Sequence, residues 1–113
     1  MAYSEHLADR LRQALAHLPD VEEKKMFGGL AFMVNGKMCL TAGPDRIMCR
    51  IDPAVHEAAI QRKGCETVLM GGRKYRGYVY ISEDALRTQA DLGRWVNLAL
   101  DFNKKAKKTS RKR

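Results

Sequence analysis

The sequence lacks any run approaching the roughly 20 apolar residues that a membrane-spanning helix requires. Its first residues, Met1 to His6, contain no basic stretch followed by an apolar one, so no secretory leader is expected. Cysteine is scarce: Cys39, Cys49 and Cys65 form an odd set with no CxxC pair. That argues against a disulfide framework and for a reducing compartment, and a cytoplasmic location is the expectation. Histidine is confined to His6, His17 and His56, none at metal-ligand spacing, so neither a metal nor any other cofactor is expected. The last ten residues contain no acid at all.

What is there suits one small domain. A chain of 113 residues with 45% hydrophobic side chains can bury a core without metal or disulfide support. The formal charge of +8 is unevenly placed. Seven of the 21 cations, Lys104, Lys105, Lys107, Lys108, Arg111, Lys112 and Arg113, lie in the final ten residues, which leaves 14 against all 13 acids, a net of +1 for the body. The basic character therefore belongs to an appendage. The expected division is a domain over 1–103 and a basic tail over 104–113 that buries nothing and is disordered when free.

Along the chain, Leu7, Leu11, Leu15 and Leu18 follow helical spacing over 4–18, with Ser4 as cap and Pro19-Asp20 as stop. Residues 25–34 read as one apolar strand. Asn35-Gly36 is a favoured two-residue hairpin turn, with a return strand over 37–42. After Gly43-Pro44-Asp45, residues 46–51 make a third strand. Asp52-Pro53 starts a short helix running to about Arg62 and ended by Gly64. Strands over 65–70 and 73–81 flank the Gly71-Gly72 turn. Ser82 caps a brief turn through Leu86, and Thr88 with Asp91 opens the last helix, whose apolar stripe is Leu92, Trp95, Val96, Ala99 and Phe102. Hairpin connections dominate. The fold class expected is α+β, an antiparallel hairpin meander with helices packed against it.

Few residues suggest chemistry. Gly28-Gly29 has no helix and no Lys-Ser/Thr pair after it, so it reads as a bulge or a close backbone approach rather than a phosphate loop. Cys39 and Cys49 fall on adjacent strands and read as small core hydrophobes; Cys65 falls in a loop and is the more reactive thiol. The pairs Glu22-Glu23 and Glu83-Asp84 are sequence neighbours and share no evident cleft. No catalytic residue emerges, and a non-enzymatic protein is expected.

Two basic features remain. Lys74, Arg76, Tyr78 and Tyr80 alternate along one strand, and Arg46 and Arg50 share a face of another. Interleaved cations and rings suit single-stranded nucleic acid, although long cationic stems also cover ordinary solvent faces. The seven cations of the tail attract any polyanion by counterion release, or serve as a solubilising tail. No amphipathic helix adjoins them to favour a membrane.

The run Met26-Phe27-Gly28-Gly29-Leu30-Ala31-Phe32-Met33-Val34-Asn35-Gly36-Lys37-Met38 resembles the MFGG-x-x-x-F-x-x-x-G-K-M hairpin of TfoX N-terminal domains, from the TfoX/Sxy competence-regulator family. The third strand with Asp52, the strand Lys74 to Tyr80, and the helix around Leu92, Trp95 and Val96 are similar to the rest of that domain. The resemblance spans about residues 4–102. It implies the α+β fold and a link to the regulation of competence genes, and it brings no catalytic residue. Competence regulators of the family carry a second, C-terminal domain; here the basic run stands in its place, and a stand-alone domain is the expectation. The expected partners are nonspecifically bound DNA and a protein such as a transcription regulator. The alternative is a protein-interaction or homodimerising module with no nucleic-acid role.

Overall fold

The computed structural model describes residues 3–26 and 29–105. Helix α1, Glu5–Ala14, starts where the Ser4 hydroxyl accepts from the Leu7 amide, and buries Leu7, Ala8 and Leu11. It is shorter than the leucine spacing predicts. Leu15 remains buried in the turn that follows, and Leu18 packs on the core beyond it.

The expected strand over 25–34 is instead the two arms of a hairpin. Strand β1, Val21–Met26, pairs antiparallel with β2, Gly29–Val34. Gly29 therefore begins a strand, and a Cβ there would collide with the Ala42 carbonyl oxygen, so the close backbone approach is real. Strand β3, Lys37–Ala42, returns after Asn35 and Gly36, whose φ values of 55° and 77° are those the turn demands. Strand β4, Arg46–Arg50, continues the meander.

Asp52 then caps as its sequence suggests, accepting from the Ala54 amide at 2.9 Å. The segment is a 3-10 turn over Pro53–Val55 and a single helical turn, α2, His56–Ala59, rather than a helix to Arg62. Strand β5, Cys65–Met70, and strand β6, Arg73–Ser82, form the last hairpin. A 3-10 turn over Glu83–Leu86 leads to helix α3, Gln89–Asn103, where the Thr88 hydroxyl accepts from the Asp91 amide at 3.0 Å.

The six strands form one antiparallel sheet in the order β1-β2-β3-β4-β6-β5. Helix α3 lies across β3 and β4, and α1 packs against β3 and α3, on one face. That layer encloses Leu7, Leu11, Phe32, Leu40, Ile47, Ile81 and Trp95 in one core. Burial of each such side chain contributes about 1.5–3 kcal/mol. A second, smaller cluster of Ala31, Met33, Met38, Met48 and Val68 lies on the other face. The far end of α3 is fastened to the β2–β3 hairpin: Asn103 Nδ2 donates to the Val34 carbonyl at 3.1 Å, and Lys37 Nζ to the Asn103 carbonyl at 2.8 Å.

The two free edges differ. Edge strand β1 carries four successive charges, Glu22 to Lys25. Edge strand β5 carries one acid, Glu66, and exposes Leu69 by 58%.

Candidate functional site

The sheet face opposite the helices gathers four of the six basic and aromatic residues singled out by sequence. The β4–β6 register sets Met48 beside Tyr80 and Arg50 beside Tyr78. The Arg46 guanidinium lies 3.5 Å from the centre of the Tyr80 ring and also reaches Glu66 at 3.5 Å. The Arg50 guanidinium lies 5.8 Å from the Tyr78 ring and 5.6 Å from that of Phe102. Cations and rings here engage one another.

Lys74 and Arg76 do not join this row. The β5–β6 pairing passes from Thr67–Val79 to Val68–Tyr75, so β6 holds an extra loop of chain centred on Gly77, whose φ is +94°. The irregularity breaks the strict alternation that the sequence reading assumed. Arg76 pairs with Glu57 of α2 at 3.4 Å, while Lys74 is exposed near the hairpin tip.

His56, only 2% exposed, holds that irregularity in place. Its Nδ1 accepts from the Gly77 amide at 2.9 Å, and its Nε2 lies 2.8 Å from Thr67 Oγ1. Because Nδ1 is occupied as an acceptor, the ring proton resides on Nε2 and is donated to the Thr67 hydroxyl. The imidazole therefore cannot take a proton from that hydroxyl, and the pair is no nucleophile–base couple. Burial lowers the pKa of His56, with Arg76 and Lys74 adding to the effect against the raising influence of Glu57. Sequence reasoning placed this histidine on a helix without a role; its structural one depends on a contact twenty-one residues away.

The three thiols are free and buried. Burial pushes Cys39 up to about 12, Cys65 up to about 11, and Cys49 well above its ordinary value. Cys65 lies on β5 inside the core rather than in a loop, which removes the reason for regarding it as reactive. Among the described residues, no three histidines, cysteines or carboxylates converge as metal ligands. Glu23 is held by Arg12, which donates to both its oxygens at 2.7 and 2.9 Å and keeps its carboxyl below the usual range.

Of the tail cations, Lys104 and Lys105 are described and follow α3 directly. Lys105 Nζ donates to Asp52 Oδ2 at 3.0 Å, tying the root of the tail to the start of the 3-10 turn. The remaining five, Lys107, Lys108, Arg111, Lys112 and Arg113, lie outside the described residues, as does the expectation that the tail is disordered.

A groove of about 780 Å³ opens where the α2–β5 turn meets the first turns of α3. Its cations are Arg62, Lys63, Arg87 and Arg94, and its acids Asp84 and Asp91. Gly64 sets one wall. At its φ of +85° a Cβ would stand 2.6 Å from that of Ala85, so only glycine lets the two walls meet. Sequence reading missed this site because its cations come from three separate segments that only the folded chain brings together.

No helix among the described residues is long and apolar enough to cross a membrane. The family model of the TfoX N-terminal domain matches residues 13–103. No curated protein and no solved structure matches the chain.

Proposed function

The chain belongs to the TfoX N-terminal domain family, and from that premise we propose that it is a non-enzymatic, competence-regulator-like adaptor. In this reading its body docks on a protein such as a transcription regulator, while its basic C-terminal run adds sequence-independent DNA affinity. The observation that carries the reading is the segregation of charge: a body near neutrality and seven cations within the last ten residues. Lys105, held to Asp52, fixes where that run leaves the body. The buried thiols and the Nε2-protonated His56 supply no reactive group that would favour an enzyme.

A second reading, an interaction or self-association module with no nucleic-acid role, draws support from the sheet face. There the Arg46 guanidinium covers the Tyr80 ring at 3.5 Å, a face that a base would otherwise occupy.

A salt-dependent gel-shift titration of duplex DNA, using the intact chain and one ending at Lys105, separates the two. Each phosphate neutralised adds about 0.9 to the slope of log affinity against log salt. If the five cations beyond Lys105 all engage, truncation lowers the slope by about 4–5 and intact-chain affinity falls about 10²–10³-fold more between 50 and 200 mM salt. Equal binding by the two chains, or no shift by either at low salt, refutes the DNA role and leaves the interaction module.

A further inference from the structure

The groove at the start of α3 has a charge pattern that its own neighbours do not balance. Asp84 and Asp91 are each answered by an arginine three residues on, at 3.8 Å for Arg87 and 3.7 Å for Arg94. Arg62 and Lys63, exposed on the α2–β5 turn, make no hydrogen bond or ion pair among the described residues through their side chains. The volume falls within the roughly 300–1,000 Å³ of ligand sites, and half-buried Ala85 gives the wall a small apolar surface in front of the buried Trp95.

We propose that this groove is the docking site for an acidic peptide segment of a protein partner, with Arg62 and Lys63 receiving its carboxylates. The inference rests on the adaptor reading and supplies its protein-binding surface. Charge complementarity selects the occupant. The chain's own tail is cationic and is repelled. A nucleic-acid strand carries a phosphate at every step and would meet Asp84, 90% exposed, and Asp91 in the same walls. A peptide places its acids singly, against the two unanswered cations. The location also fits. The groove adjoins the first turns of α3 and the basic run leaves its last turn, some 20 Å away along a helix of 15 residues. Both ends can be occupied at once.

Trp95, the sole tryptophan, is 2% exposed behind the groove, so its emission checks that the core there stays intact in every variant. The probe is a dye-labelled octapeptide of alternating glutamate and leucine, titrated at low salt, with a lysine–leucine octapeptide and a single-stranded oligonucleotide as comparisons. The glutamate peptide is expected to bind, read as a rise in dye anisotropy, and to weaken with salt. The double variant Arg62→Glu, Lys63→Glu is expected to lose at least tenfold in affinity with its far-UV circular dichroism unchanged. Arg62→Ala, Lys63→Ala gives a smaller loss in the same direction and serves if the reversal perturbs folding. The chain ending at Lys105 is expected to bind the peptide as the intact chain does. Unaltered peptide binding by both variants, loss of binding on removing the tail, or displacement of the peptide by the oligonucleotide overturns the proposal. If truncation leaves DNA affinity unchanged while the peptide results hold, the DNA role falls and the groove stands.

Discussion

At the scale of single residues, His56 is the most consequential polar side chain. Charging it would place a second proton on Nδ1, directly against the Gly77 amide that now donates there. The folded state therefore resists protonation, and the pKa is lowered. A depressed pKa means that the unfolded chain binds the proton first. Stability is fully present above the unfolded value of about 6.5 and falls as the pH drops below it. Urea denaturation is expected to show a decline between pH 6.5 and 5, above the range in which Glu23 and Asp52, both lowered, begin to matter. His56→Ala leaves the Gly77 amide unpaired and is expected to cost about 2–3 kcal/mol at pH 7.5. The same variant should lose much of the decline; a slope equal to that of the parent would show that His56 does not cause it.

At the scale of elements, capping is the most direct test. Thr88 holds the Asp91 amide and so fixes the first turn of α3, one turn before Arg94 lines the groove. Thr88→Ala is expected to lower unfolding free energy by about 1 kcal/mol, and Thr88→Ser to restore most of it, as read from denaturant midpoints. Elements marked by such local chemistry were legible in the sequence. Asn35-Gly36, Asp52-Pro53, Gly71-Gly72 and Thr88 each lie where turn and cap rules place them. Strand β1 was not legible, because Glu22 to Lys25 offer no apolar alternation; its partner β2, rather than its own pattern, makes it a strand. The basic face over Lys74 to Tyr80 was half legible for the converse reason. Period-two reasoning holds only while the ladder is regular, and the irregularity at Gly77 breaks it. The groove gave no signal at all, since Arg62, Arg87 and Arg94 have no common period.

At the scale of the whole molecule, the three cysteines report on global opening. All lie within the main core cluster, on β3, β4 and β5. A thiol reagent is expected to modify none rapidly under native conditions and all three in denaturant. Cys65, at 8% the least covered, should lead as the sheet loosens from its β5 edge. Rapid native labelling of Cys39 or Cys49 would contradict the packing described.

The contrast between the two borders of the sheet bears on how copies of the chain can join. A strand added beside β1 must approach Glu22 to Lys25, so lengthening is disfavoured there, while β5 offers a less charged margin. Two copies meeting at β5 would be related by a two-fold axis, and each outer limit of the doubled sheet would again be β1. Such a union leaves β1 as the margin on both sides, where any further strand must match Glu22 to Lys25 charge by charge.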